Sequence, residues 1–544
     1  MKYECAKRIV DSSKIKNEEI LLAKDVLQVD LAVTNDVVFH NGDYLILDFG
    51  REISGGIRLL TSYASNDAHI RIRFGESISE ACHDIAPETG ATNDHSPRDM
   101  TVKATFLSDL TYGQTGFRFV RLDFQGEFWM LQHVVAAIDT DTRKEVGVFQ
   151  SNDKLLNDIW NTASYTLRLN LHNGLIWDGV KRDRLCWIGD AYNEIKAVMC
   201  LYNKQDEIAN VIDYSVASIV ATINEEKTIN IPTTYCFWWI LILVLKYEHD
   251  YDQDYLLGYK DLIVDIIKYT NRCTKENGDI IFPRNFIDWP SHPLYDNSLE
   301  DEAKKVDELV GVRALALLTF NKTLETFDKL GDHSLDKLLK DSIKSINNAS
   351  YDIKKFKQCA AFVHFAHKGN QNTFDILSHG GAKGLSTFQS YYILAAMAEL
   401  GLYDDALEAL KEYYGAMLDL GATSFFEDFD VEWAKGAGRI DELLEPGKID
   451  FHLTYGQFCY KKLRHSLCHG WAAGVIPYIV EYVIGFKQIG KDKYEIRPHM
   501  SGLKHIHYVY PLGKEQIVID IKNGKDAYKI DIMCPKNIEV LKGE

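Results

Sequence analysis

The sequence predicts three parts: a β-rich region, a long helical centre and a short β-rich end. Three observations predict this. Residues 1 to about 140 alternate apolar and polar positions in short runs separated by glycines. From about Ser151 the apolar residues recur at helical spacing for some 330 residues with few β signals. From about Lys487 the period-two pattern returns. The expected boundaries are 1–140, 141–485 and 486–544.

In the first part, residues 44–49, 69–74 and 117–124 read as strands, with Gly50, Gly55, Gly56, Gly75, Gly116 and Gly126 as punctuation. Several short strands without intervening helices predict an antiparallel sandwich. Residues 80–99 are polar, include Pro87, Gly90, Asn93 and Pro97, and read as a long surface loop. In the centre, Leu155, Leu156, Ile159, Trp160, Ala163 and Leu167 share one helical face, with Ser151 or Asn152 as N-cap. Further helical blocks follow near 191–203, 206–223, 235–248, 254–272, 299–330, 334–348, 386–400, 403–419 and 468–485. Eleven or twelve helices with no sheet to cover must pack on one another. Helix pairs closing into a ring, an α/α toroid, are the favoured arrangement. An open helical solenoid competes, but no repeat at fixed period supports it. The last part offers strands at 493–497, 506–510, 516–521 and 528–532, with a turn at Asn523-Gly524. These few residues are too small to stand alone and are expected to pack on the helices.

Composition limits the function. The net charge of −18 argues against nucleic acid and anionic membrane surfaces as partners. The ten cysteines include no C-x-x-C pair and read as free thiols of a reducing compartment. The first residues lack the apolar run of a signal peptide, and the most apolar window, 237–245, is too short to span a bilayer. The expected location is cytoplasmic. No phosphate-binding loop, dinucleotide fingerprint, H-E-x-x-H or EF-hand loop occurs, so no cofactor and no metal are expected. Oligomeric state is not readable.

Chemistry concentrates in four stretches. Residues 177–190 carry six charged residues, five of them between Trp177 and Trp187, where burial is costly unless the charges pair or work. Residues 286–290 set Asp288 and Trp289 before Pro290, which disfavours helix there. Glu427 lies among Phe425, Phe426 and Phe429, whose apolar surroundings raise a buried carboxyl's pKa. His469 and Trp471 open the last helical block. Separated carboxylates among aromatics, on a helical ring, point to glycoside chemistry.

These stretches resemble the α-L-rhamnosidases, family 78 of the glycoside hydrolases. The family signature has the form D-x-x-x-R-D-E-R-x-x-W-x-G-D, and Asp178, Arg182, Arg184, Trp187, Gly189 and Asp190 match it. A second family block, G-A-T-x-x-W-E-x-W, carries the general base, and Glu427 falls on that base. The blocks at 235–239, 286–290, 468–471 and 113–119 are similar to family segments as well. The likeness runs from about residue 40 to 510. It implies an (α/α)6 barrel between β domains and an exo-acting enzyme that releases terminal α-L-rhamnose from a small rhamnoside. One departure is clear. The signature here is one residue shorter, and Asp183 takes the place of the glutamate general acid. Phe426 and Phe429 replace tryptophans of the base block.

On this resemblance Asp183 is the acid and Glu427 the base, facing each other across an aromatic-walled hollow at about 6.5–9.5 Å, the inverting separation. Arg182 and Arg184 are expected to point away from Asp183. Asp178 and Asp190 are expected to bind hydroxyls, with Arg182 orienting one of them. Trp187, Trp239 and Trp289 would wall the sugar methyl, and Asp288 and His469 would complete the site. Two other classes stay open: an enzyme acting on uronides, and a silent homologue that binds rhamnose without turnover. Calcium occurs in β domains of related proteins, but no dedicated site is visible here.

Overall fold

The computed structural model describes residues 2–543 except 26, 27, 31, 33–36, 92, 94–96, 227–230, 294–300, 457–460, 525 and 526. Its first part is an antiparallel sheet of eight strands: β1 (Lys2–Cys5), β2 (Arg8–Ser12), β3 (Val37–His40), β4 (Tyr44–Ala64), β5 (His69–Gly75), β6 (Asp99–Lys103), β7 (Ser108–Gln125) and β8 (Phe128–Ile138). The order is β1-β8-β4-β7-β5-β6, with β2 also on β4 and β3 also on β8. The alternating runs put Phe39, Leu47, Ile72, Val120 and Trp129 into one core. Fully burying each such side chain stabilises by about 1.5–3 kcal/mol. β4 is long enough to bend, and its register shifts at Gly55. A Cβ on Gly55 would lie 2.1 Å from the Ala137 carbonyl oxygen, so only glycine fits that crossing.

The expected surface loop after β5 behaves otherwise where it is described. Ser77 caps a one-turn helix, Ile78–Cys82, by accepting from Glu80 N–H. Glu80 and Arg98 are buried and paired rather than solvated. Part of that stretch, 92 and 94–96, lies outside the described residues.

Twelve helices of the centre matter for the site: α1 (Lys154–Asn170), α2 (Ala191–Leu201), α3 (Glu207–Ile223), α4 (Tyr235–Asp250), α5 (Lys260–Cys273), α6 (Glu302–Lys329), α7 (Asp336–Ile346), α8 (Lys357–Phe365), α9 (Gln371–Ser378), α10 (Ser390–Glu399), α11 (Tyr403–Asp419) and α12 (Val475–Tyr478). The N-cap of α1 is Asp153, which accepts from Leu156 N–H, not Ser151 or Asn152. α8 and α9 have no counterpart among the expected blocks. The block at 468–485 divides into 3-10, α and π segments.

The packing is cyclic. α2 contacts α4, α4 contacts α6, α6 contacts α8, α8 contacts α10, α10 contacts α12, and α12 returns to α2. The remaining helices lie against these, and α1 meets α11. The inner helices are buried nearly all round, as α4 and α10 show. The outer ones keep a wet face; α7 buries Leu339, Ser342 and Ile346 and little else.

Two small sheets follow. One joins Phe486–Gly490, Lys493–Ile496 and Glu539–Lys542. The other joins His505–Leu512, Glu515–Asn523 and Tyr528–Met533, and its fourth strand, β9 (Val148–Ser151), comes from before α1.

Candidate active site

The charged stretch at 177–190 leaves α1 through a tight hairpin, Leu171–His172 with Leu175–Ile176. It closes on itself: Asp178 N–H donates to Leu185 C=O at 2.9 Å, and Leu185 N–H donates to Asp178 Oδ1 at 2.9 Å. Trp177 stacks on His172 at 3.7 Å and lies under the Arg184 guanidinium at 4.6 Å. Arg184 also donates to Gln114 C=O at 2.9 Å, so it faces away from Asp183 as expected. Within the loop, Asp183 (φ 58°) and Arg184 (φ 55°) are consecutive left-handed residues. Such backbone costs about 1–3 kcal/mol per residue and persists only where its surroundings enforce it.

The second acid arrives on the loop after α11. Glu427 N–H donates to Ser466 C=O at 3.0 Å, and His469 N–H donates to Phe425 C=O at 3.0 Å. The Glu427 carbonyl accepts from Trp471 Nε1 at 2.9 Å and Thr387 Oγ1 at 2.5 Å. Gly470 N–H donates to Asp178 C=O at 2.7 Å. Residues 178–179, 425–427 and 466–470 are thereby one backbone-bonded unit.

Arg182 joins the two acids. Its Nη1 bonds Asp183 Oδ2 at 2.5 Å and its Nη2 bonds Glu427 Oε2, from a residue 245 positions away. One planar guanidinium spans both, so the two contacting oxygens are about 7 Å apart or less. This corrects two expectations. Arg182 does point at Asp183. The space directly between the acids holds a cation, not an open hollow. The charge of Arg182 also acts on Asp178, opposing the rise of that carboxyl's pKa.

Electrostatics differ along the cluster. Burial pushes the Glu427 carboxyl up to about 7, with Arg182 opposing and Asp183 adding. Asp178 and Asp190 are each 4% exposed and are raised well above the usual carboxylate range by burial, with Asp183 adding to both. Tyr235 donates to Asp190 Oδ1 at 3.0 Å. His469 lies 3.6 Å from Glu427 Oε1, and burial holds its pKa well below the usual imidazole value. At neutral pH it is an uncharged neighbour, and its Nδ1 has no hydrogen bond among the described residues.

Aromatic rings run along the cluster. Trp187 meets Tyr235 at 6.4 Å, Tyr235 meets Phe286 at 6.2 Å, and Phe286 meets Trp289 at 4.9 Å. Phe388 stacks on Trp471 at 4.6 Å, and Trp471 covers His469 at 4.0 Å. Trp187 and Trp289, two of the expected wall residues, belong to this run of rings. Trp239 does not: it is fully buried, donates its indole N–H to Ile212 C=O at 3.1 Å and packs on Tyr259, in the helix core. Asp288 is 1% exposed and turned to the protein, accepting from Trp289 N–H at 2.8 Å and from Ser386 Oγ; burial raises it to about 7.

Several residues of the site were not anticipated. Glu194, one turn beyond Asp190, is a further buried carboxyl, raised by burial and by Asp190 and Asp178. Its helical phase relative to Asp190 was the available signal. Glu76 follows β5 directly: it accepts from Leu467 N–H at 2.5 Å and Ser466 Oγ at 3.2 Å, fixing the segment that holds Glu427. Lys181 Nζ lies 3.0 Å from Glu76 and 3.1 Å from Glu80. Glu76, Glu80 and His452 could by proximity hold a metal. Lys181 already supplies the cation there, and the His452 nitrogens contact Ser77 Oγ at 2.7 Å and His465 C=O at 2.9 Å. That set does not fit a metal.

Comparison with known proteins gives likenesses of sequence and fold. Residues 144–319 match the family described as bacterial alpha-L-rhamnosidase 6 hairpin glycosidase domain. An alpha-L-rhamnosidase of Formosa agariphila is 22% identical, over 89% of this chain and 54% of the relative. The chain thus spans about half of that curated relative. The GH78-family rhamnosidase of Bacillus sp. GL1 superposes with a TM-score of 0.70 at 17% identity, covering 96% of this chain and 55% of that one. A Klebsiella oxytoca rhamnosidase with rhamnose bound gives 0.64 at 16% identity, covering 88% and 95%.

Proposed function

We propose that this chain, whose helical centre carries the six-hairpin glycosidase domain of the bacterial α-L-rhamnosidases, is an exo-acting hydrolase of terminal α-L-rhamnosides. One observation carries the reading: acidic side chains from two distant segments share the Arg182 guanidinium beside an aromatic wall. The cyclic helix packing supports an (α/α)6 barrel, flanked by a β-sandwich at 1–140 and a small β domain at 486–544.

In the proposed reaction Asp183 protonates the glycosidic oxygen as the aglycone leaves. Glu427 takes a proton from water, which attacks the opposite face and inverts the anomeric centre. Asp178 and Asp190 face the positive charge of the oxocarbenium-like transition state. The Arg182 bridge cannot persist through this cycle, because the guanidinium fills the space between the two acids that substrate and water must enter. Substrate entry must draw Arg182 off Asp183. Asp183 is the movable partner, with its side chain 21% exposed against 2% for Glu427.

The test is turnover of an aryl α-L-rhamnoside. Asp183→Asn and Glu427→Gln should each lower it at least about a hundredfold, the lower bound for general acid–base catalysis, with the fold intact. Proton NMR of early product should show the inverted anomer first; the retained anomer appearing first contradicts the mechanism. The bridge also favours a second reading, a silent rhamnose-binding homologue locked by Arg182. It predicts rhamnose binding without aglycone release. Uronide chemistry is disfavoured, because Lys181 is committed to Glu76 and Glu80 and Arg184 to Gln114 and Trp177.

A further inference from the structure

A cavity of about 570 Å3 lies at the other end of the inner helices. The catalytic cluster sits at their N-terminal ends, on Asp190, Tyr235 and Phe388. The cavity is lined by residues further along, including Lys196, Trp238 and Tyr392, and by the strands from Phe486 onward. Lys196 is six residues past Asp190, about 9 Å along α2. None of the acids Asp178, Asp183, Asp190 or Glu427 lines it. Its volume falls within the range of about 300–1,000 Å3 typical of small-molecule sites.

The walls combine ring faces with paired charges. Tyr192, Trp238 and Tyr392 pack together with centroids 5.3–5.9 Å apart. Lys196 Nζ bonds Glu481 Oε1 at 2.6 Å, and Tyr391 donates to Glu481 Oε2 at 2.7 Å. Lys196 also sits 4.6 Å from the centre of the Tyr391 ring. The Tyr392 hydroxyl is buried without a hydrogen bond among the described residues. Four lysines and three glutamates line the chamber, so the charges nearly cancel. Burial lowers the pKa of His249 in the same wall, which keeps it neutral. A near-neutral wall does not select a phosphate or a carboxylate ligand. It offers donors and acceptors for hydroxyl groups, and ring faces for the C–H faces of a pyranose.

We propose that this chamber is a second binding site, for a neutral saccharide, separate from the acid pair. The choice of rhamnose among the probes rests on the function proposed above; the neutral-sugar class does not. Titration calorimetry of the full chain with L-rhamnose, D-glucose and D-galactose, and with glucose 6-phosphate as anionic control, tests it. At least one neutral sugar should bind, and its affinity should fall at least tenfold in Lys196→Met/Glu481→Gln, which removes both charges together. That variant should keep its turnover of aryl rhamnoside. Tyr392→Phe, which deletes only the unpartnered hydroxyl, should weaken the same sugar severalfold if the double variant does not fold. Equal affinities of all sugars for wild type and variants overturn the proposal, as does tighter binding of the phosphate. Loss of hydrolysis with retained, variant-sensitive binding would sink the hydrolase reading and leave the chamber site standing.

Discussion

Asp183 occupies a backbone region that aspartate tolerates and most residues avoid, and Arg184 repeats it. Two left-handed residues in succession turn the shortened stretch so that Asp183, the proposed acid, lies beside Arg182. Reverting the shortening, by inserting a glutamate after Asp183, should relieve that turn and shift both the pH profile and turnover. The base sets its own pH limit. In the proposed reaction Glu427 must be ionised to accept a proton, and burial raises its pKa to about 7. The base limb of kcat/KM for the free enzyme should therefore fall about tenfold per pH unit below 7. A pH–rate series checks this, and a limb near 4 would remove Glu427 from the role. Asp288 carries a stability consequence of defined sign. Its folded pKa of about 7 lies above an unfolded value near ~3.9. Its contribution is full below pH 4 and is lost as pH rises through 7. Asp288→Asn should flatten that part of a melting-temperature profile. At this scale the sequence identified the chemistry but not the orientations. Neighbours in sequence do not determine the rotamer that turned Arg182 toward Asp183. Trp238 and Trp239 sit on a helix buried on all sides, so no polar face told which indole lined what.

Elements hold the site through close approach. Gly189 precedes the α2 N-cap, and a Cβ there would lie 2.2 Å from the Tyr235 ring. Gly189→Ala should push that ring off Asp190, costing about 1–3 kcal/mol by overpacking and lowering turnover as well as the melting temperature. An unchanged melting temperature would show that the ring has room to move. Helix periodicity revealed the outer helices because they keep a wet face. It missed α8, where residues 357–363 are all buried and no polar stripe marks the period. The block at 468–485 was visible as helix, but its switch from 3-10 through α to π was not, since apolar residues fill every turn.

Across the whole molecule the first sheet and the helices share a charged seam. Lys181 belongs to the 177–190 loop yet is buried against Glu76, just past the end of β5, and Glu80, in the one-turn helix that follows. Arg118 of β7 reaches Gly421 C=O at 3.0 Å, on the approach to Glu427. Lys181→Met should leave the buried Glu76 without its cation, while Glu80 keeps Arg98, and cost about 3–5 kcal/mol. Denaturant unfolding followed by fluorescence should show the loss, and a change under 1 kcal/mol would mean that the carboxylates find other partners. The three-part order was readable because the period of the pattern changes twice along the chain. The seam was not, because a lysine's partners about a hundred residues upstream leave no local pattern.

β9, which precedes α1, hydrogen-bonds to the strand His505–Leu512, which follows α12. A cyclic stack of helices has one place where it is not covalently continuous, between its first and last members. Here a β ladder rivets that gap. Breathing of the helical wall at the gap must shear main-chain hydrogen bonds as well as part side chains, so slow amide exchange at Phe149 and Tyr508 should report the state of the rivet.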